Sequence, residues 1–121
     1  MIIWLCGPSG SGKTTLATHL AEILNAPIVD ADVYRKKWPE LGYSKEDRIE
    51  SCERLLEEAY NLKVSNKFVI VSAIAPYEKW REDKMKLLQI KFIQVDHKDS
   101  KGREDDAKFE DIEGLTFTVT L

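Results

Sequence analysis

Cysteine is scarce in this chain: two residues in 121, Cys6 and Cys52. That excludes a scaffold stapled by several disulfides, and the two show no metal-ligand spacing. Cys6 ends an apolar run and Cys52 falls on an apolar helical stripe, so both read as small buried thiols, and a reducing cytoplasmic setting suits them best. The only histidines, His19 and His97, lack any partner pattern and read as solvent-facing or incidental. No apolar run approaches the roughly 20 residues of a membrane span. No basic, apolar and small-residue leader opens the chain, so neither a membrane partner nor a signal peptide is expected. Neither sign of charge dominates; the net charge is −3 with acids and bases interspersed, which argues against a large nucleic-acid footprint. Internal repeats and linker-like stretches are lacking too. The length suits one domain over residues 1–121, which buries roughly two-thirds of its unfolded surface and needs no disulfide or metal to fold.

Glycine is sparse as well, six residues in all, yet Gly7, Gly10 and Gly12 crowd into one stretch. Gly7-Pro8-Ser9-Gly10-Ser11-Gly12-Lys13-Thr14 fits the phosphate-binding pattern G-x-x-x-x-G-K-[S/T] at every fixed position. Before it, Met1 to Cys6 reads as a strand buried on both faces. After it, Leu16, Leu20, Ile23 and Leu24 recur at helical spacing. Each residue type has a physical task. The glycines admit conformations that a Cβ blocks and let backbone N–H groups close around phosphate oxygens. The following helix aims its positive end at the same anion. Residues Gly7 and Ser9 to Thr15 are thus the expected ATP-binding set, with Lys13 on the β- and γ-phosphates and Thr14 on Mg²⁺. A glycine-rich turn that binds nothing is the plain alternative, and the strand–loop–helix setting argues against it.

Asn25 and Pro27 stop the first helix, and Pro27 to Val29 reads as a short strand running into Asp30-Ala31-Asp32. In an open α/β sheet, ligands bind at the carboxyl ends of strands. Two acids there are either a solvated strand end or the pair that phosphoryl transfer to a hydroxyl needs, one accepting the proton and one serving Mg²⁺. Arg35, three residues on, would pair with Asp32 or flank an acceptor. Trp38 to Tyr43 is a loop by its Pro and Gly. Ser44 is placed to cap a helix running to about Val64, with Asp47 completing a variant capping box. Cys52, Leu55, Ala59 and Leu62 form its apolar stripe. Arg48, in the first turn on that stripe, opposes the helix dipole by about 0.3–1 kcal/mol when exposed; its position points to an anion nearby, or else it snorkels to water. Phe68 to Ile74 is a third strand. Pro76 suits the first position of a helix from Tyr77 to about Gln89, with Tyr77, Trp80, Leu87 and Leu88 as core. Lys91 to Val95 is a fourth strand, Asp96 to Glu113 a charged loop, and Leu115 to Leu121 an alternating strand at an edge. Alternating strands and helices imply a parallel five-stranded sheet with right-handed crossovers, in a three-layer α/β sandwich of the P-loop kinase type.

Five segments together resemble the adenylylsulfate kinase (APS kinase) family. They are Gly7 to Thr15, Asp30 to Arg35, Leu41-Gly42-Tyr43-Ser44-Lys45-Glu46-Asp47-Arg48, Ile74-Ala75-Pro76-Tyr77 and Asp99-Ser100-Lys101-Gly102. The third and fourth are the most specific. The resemblance implies phosphorylation of the 3′-hydroxyl of adenosine 5′-phosphosulfate (adenylyl sulfate) by ATP with Mg²⁺. It implies Lys13, Asp30 and Asp32 as catalytic, with Asp32 the general base and Asp30 a metal-shell or orienting group beside Thr14. Arg35 and Arg48 would hold the phosphosulfate end. Tyr43 stands where the family has Phe, against the adenine, where a ring stacks either way. Ser51, Ile74 and Ala75 complete the acceptor side, and a homodimer is left open.

Departures from the family pattern are specific. Asp-Gly-Asp-Asn is Asp30-Ala31-Asp32-Val33 here, the Asn three residues beyond the matching Arg is Ser51, and the Ser of Ile-Ser-Pro-Tyr is Ala75. A phosphoserine at that position is impossible, although in-line transfer from ATP needs none. The family continues past Asp-x-Lys-Gly with a basic lid and a Phe-Thr-Gly segment, whereas this sequence runs almost directly to its last strand, leaving Lys98, Lys101 and Arg103 as a reduced lid. A slow enzyme with a weak acceptor site is expected. Two other functions compete: a P-loop kinase with another acceptor, such as a polynucleotide 5′-hydroxyl, and a nucleotide-binding protein without catalysis.

Overall fold

A computed structural model of the chain describes residues 1–8, 12–87, 90–96 and 118–120. Five strands form one sheet in the order β2-β3-β1-β4-β5: β1 (Ile2–Cys6), β2 (Ile28–Asp30), β3 (Val69–Ser72), β4 (Ile90–Asp96) and β5 (Thr118–Thr120). Every pairing is parallel. The expected sheet is therefore present, with the last strand at an edge.

Strand alternation divides the apolar residues between two faces. Ile2, Trp4 and Cys6 of β1 join Val69 and Val71 in one core, covered by Cys52, Leu55, Leu56 and Ala59 of α3 (Lys45–Lys63) and Trp80 of α4 (Glu78–Leu87). Leu5, Ile70 and Val95 turn the other way, onto Ala17, Leu16 and Leu20 of α1 (Lys13–Leu24). The result is the three-layer arrangement. Trp4 is fully buried and meets Trp80 edge-on at 5.3 Å and Phe92 at 5.6 Å between ring centroids, contacts worth about 0.5–1.5 kcal/mol each beyond their area.

Local signals set most boundaries. Asn25 ends α1 in the left-handed conformation, φ 50°, which Asn tolerates better than most residues. Ser44 caps α3, its Oγ accepting the Asp47 N–H at 3.1 Å. The Asp47 carboxylate does not close a box on the cap itself; its Oδ2 reaches back to the Gly42 N–H at 2.8 Å and ties the preceding loop to the helix. Two boundaries differ from expectation. α4 opens at Glu78, so Pro76 precedes the helix, and the Tyr77 carbonyl accepts its first turn through the Arg81 N–H at 3.2 Å. β3 ends at Ser72, and residues 73–77 leave the sheet as an irregular segment. Leu62 is only partly buried, and Leu56 takes the fuller core place. Trp80 is core as expected and Tyr77 packs against it; the side chains of Leu87 and Leu88 lie outside the described residues. Among the described residues no helix is long and apolar enough to cross a membrane.

Candidate active site

Register brings three strand ends to one edge. Asp30 pairs with Ser72, and Ser72 with Leu5. The end of β2, the end of β3 and the root of the glycine loop thus stand level, and a cavity of about 750 Å³ opens above them. Gly12, Lys13, Thr14 and Thr15 line one end of it. Asp30, Asp32, Arg35, Tyr43, Arg48, Ser51, Ile74 and Ala75 line the remainder. Every acceptor-side residue expected from sequence is therefore gathered into one space. Ser9, Gly10 and Ser11 lie outside the described residues, as do Lys98, Lys101, Arg103 and His97.

Gly7 and Gly12 have φ values of 142° and 93°, a region that L side chains rarely adopt and glycine enters freely. Lys13, the first residue of α1, folds over the loop it follows. Its Nζ donates to the Gly7 and Pro8 carbonyls at 2.8 Å each. The ammonium and the loop are positioned by one another. Thr14 follows in the first turn, on the cavity.

The two carboxylates differ in setting. Asp30 is half-buried and caps the short helix α2 (Ala31–Tyr34), its Oδ1 accepting the Asp32 N–H at 2.8 Å. Asp32 is exposed at the cavity. The helix does continue toward Arg35, through a tighter 3₁₀ turn over Arg35–Lys37.

Arg35 and Arg48 do more than face the cavity. Arg35 donates through one Nη to the Gly42 carbonyl at 2.7 Å and the Leu41 carbonyl at 3.4 Å. Arg48 donates from Nε to the Tyr43 carbonyl at 2.9 Å. Their guanidinium carbons lie 5.0 and 5.4 Å from the Tyr43 ring centroid, within cation–π range. Both arginines therefore brace the Leu41–Tyr43 loop and flank a ring that is 58% exposed. Arg48 is itself buried, which corrects the snorkelling alternative.

Sequence reasoning missed two contributors. Lys36 lines the cavity beside Arg35; its place in a run of three cations hid it among solvated charges. Arg81, 2% exposed on α4, lies on a helix whose other charges read as a wet face. Its Nη1 donates to the Ala75 carbonyl at 2.5 Å. The signal available was its position one turn beyond Tyr77 and next to the core residue Trp80.

Both cysteines are buried thiols, as expected. Burial pushes each up to about 12, although Arg81 and Lys13 oppose the shift at Cys6 and Arg35 opposes it at Cys52. Cys52 lines the cavity wall, yet as a neutral thiol at pH 7 it is a poor nucleophile. His19 is exposed. Among the described residues no three His, Cys, Asp or Glu side chains cluster as a metal cage.

The chain matches the adenylylsulphate kinase family over residues 1–116. It is 37% identical to a probable adenylyl-sulfate kinase of Archaeoglobus fulgidus, covering 95% of this chain and 83% of that protein. It is 34% identical to an adenylyl-sulfate kinase of a Picosynechococcus species, over 94% of this chain and 72% of that one. Among solved structures, the APS kinase of Mycobacterium tuberculosis in complex with AMPPNP and APS superposes with a TM-score of 0.79 at 20% identity, over 98% of this chain and 87% of the other; at that identity the likeness speaks for the fold. With the phosphate loop, the carboxylate pair and the arginine-flanked ring on one cavity, and with these matches over nearly its whole length, the chain belongs to the adenylylsulphate kinase family, ATP-using kinases that transfer phosphate to an alcohol acceptor.

Proposed function

We propose that the chain transfers the γ-phosphoryl group of ATP to the 3′-hydroxyl of adenosine 5′-phosphosulfate, releasing ADP and 3′-phosphoadenosine 5′-phosphosulfate. The observation that carries this reading is the single cavity that joins the start of α1 to Asp30, Asp32 and the Arg35–Tyr43–Arg48 cluster. One end suits a triphosphate and the other an aromatic base bearing an anion. In support, the relatives are named adenylyl-sulfate kinases, and the Mycobacterium tuberculosis protein was solved with a nucleotide analogue and APS together.

In this reading Lys13 and the loop N–H groups hold the β- and γ-phosphates. Asp32, exposed at the cavity, accepts the proton as the acceptor oxygen bonds to the γ-phosphorus and the bond to the β-phosphate oxygen breaks. The Tyr43 ring carries the adenine. Arg35 and Arg48 meet the phosphosulfate; each guanidinium has five N–H donors, so bracing the loop and binding an anion are compatible. Ser51, buried on α3, and Ile74 and Ala75 close the acceptor side. Thr14 and Asp30 offer oxygen ligands of the kind Mg²⁺ takes together with nucleotide oxygens. Mg²⁺ supplies neutralisation of charge on the β- and γ-oxygens. The whole chain acts as one kinase domain.

The test is release of ADP from ATP·Mg²⁺ with and without adenosine 5′-phosphosulfate, with the product identified by mass. Acceptor-dependent ADP release and a product heavier by one phosphate are expected. ATP binding with no acceptor-dependent turnover would sink the proposal.

A further inference from the structure

Beyond Ser72 the chain leaves the sheet and runs along the acceptor side of the cavity through Ala73, Ile74, Ala75 and Pro76. At its start the segment keeps one hydrogen bond to β1, from the Ala73 N–H to the Leu5 carbonyl at 3.2 Å; its carbonyls, outside any ladder, must find partners of other kinds. Three successive carbonyls find donors from three different places. Ala73 accepts from the Trp4 indole of β1 at 3.3 Å. Ile74 accepts from the N–H of Gly7, the first residue of the phosphate loop, at 3.3 Å. Ala75 accepts from the Arg81 guanidinium of α4 at 2.5 Å.

The third is the strongest and the least expected. Ala75 holds φ 43°, a left-handed conformation that a residue with a Cβ disfavours, and Pro76 follows with no N–H to contribute. A turn of that kind persists only where its surroundings over-determine it. Arg81 is 2% exposed, and a guanidinium is kept from water only where it has strong partners. It also lies near enough to Cys6, at the root of the phosphate loop, to oppose the effect of burial on that thiol together with Lys13. Arg81 is therefore tied to the Ala75 carbonyl at the acceptor wall without being one of the residues that line the cavity.

We propose that Arg81 is a positioning residue that holds the Ala75 turn in place and thereby sets the acceptor wall of the cavity relative to the phosphate loop. The inference rests on the proposed function for the identity of the acceptor, but the holding of the turn does not depend on it. A charge-assisted hydrogen bond lost at a positioned wall corresponds to about a tenfold effect.

Arg81→Met keeps the length and removes the donors; Arg81→Lys keeps the charge with a single donor group. Steady-state kinetics on the full chain should show the adenosine 5′-phosphosulfate KM raised about tenfold in Arg81→Met, with the ATP KM within about threefold of wild type. Arg81→Lys should recover most of the loss. Hydrogen exchange should report about tenfold faster exchange in residues 73–77 of Arg81→Met, with β3 amides still protected. Equal changes in both KM values, or unchanged exchange at 73–77, would overturn the proposal. If Arg81→Met does not fold, Arg81→Lys carries the test with about a threefold change in the same two readouts, and wild-type values in both overturn it. Were the wild type to show no acceptor-dependent turnover while exchange at 73–77 rose in the variants, the proposed function would fail and the positioning role would stand.

Discussion

Replacing Asp30 and Asp32 separately by Asn and by Ala separates their chemistry from their structural work. Asp30 accepts the Asp32 N–H at 2.8 Å and caps α2. Asn is as good a cap as Asp, whereas Ala loses about 0.5–2 kcal/mol. Asp30→Ala should therefore lower the Tm by roughly 3–8 °C in a domain of this size, while Asp30→Asn leaves it near wild type. Asp32 is exposed, so neither of its substitutions should move the Tm by more than about 2 °C. Activity should follow the other ordering. With Asp32 as the base, Asp32→Asn should lower kcat by about 10²–10⁴-fold and leave the Kd for ATP within a few-fold, because Lys13 and the loop supply that affinity. Asp30→Asn should lose activity that added Mg²⁺ partly restores. Differential scanning fluorimetry and coupled ADP assays across a Mg²⁺ series measure both. An active Asp32→Asn beside an Asp30→Asn that stays dead at every Mg²⁺ concentration would reverse the two roles. An Asp30→Asn as unstable as Asp30→Ala would refute the cap.

Lys13→Ala removes an ammonium that also ties the Gly7 and Pro8 carbonyls. We expect about 10²–10³-fold lower kcat, by analogy with one preorganised donor, and weaker ATP binding by calorimetry; intact values in both would exclude the loop as the active element. Tyr43→Ala should raise the acceptor KM by about 5–150-fold, the range of one aromatic–base stack, and Tyr43→Phe should stay near wild type, so an equally impaired Phe variant would show that the hydroxyl matters instead of the ring. The thiols set an alkaline limit. Unfolded, Cys6 and Cys52 lose their protons near the ordinary value of 9.0, and folded they keep them to about 12. Their contribution is whole below pH 9 and is lost as pH rises toward 12, by up to about 1.4 kcal/mol per pH unit per thiol. Urea unfolding between pH 8 and 10.5 should show a shallower pH slope in Cys52→Ala than in wild type; an identical slope would refute it.

What was readable in the chain was what depends on neighbours in sequence. Gly7 and Gly12 of the loop, the Ser44 cap, the Asn25 stop and the apolar run of β1 are all local devices, and the structure keeps them. The acceptor residues were named through a family pattern, and the fold explains why they meet: β2 and β3 end at the same level. What escaped was set by contacts between distant segments. Nothing in the sequence shows that Arg48 also holds the Tyr43 carbonyl and ring, five residues back across a loop whose path no periodicity encodes. Pro76 looked like a helix start because Pro is common there, but the left-handed Ala75 before it turns the chain away from α4 by two residues. Arg81 is invisible to hydropathy patterning, which scores any Arg as solvent-facing and cannot register that a carbonyl from outside the sheet waits for it.

The central place of β1 bears on how the chain acquires its fold. β1 hydrogen-bonds to β3 on one side and to β4 on the other, with Ile2 level with both Val69 and Ile90. A parallel neighbour cannot arrive by a hairpin; it comes only after a crossover. On a ribosome adding about 5–20 residues per second, Ile2-Ile3-Trp4-Leu5-Cys6 is made several seconds before either partner strand exists. During that interval the strand that leads into the glycine loop has no ladder to join, and it gains its second neighbour only when β4 has been made. High contact order of this kind slows folding and leaves β1 in need of shielding until the crossovers are complete.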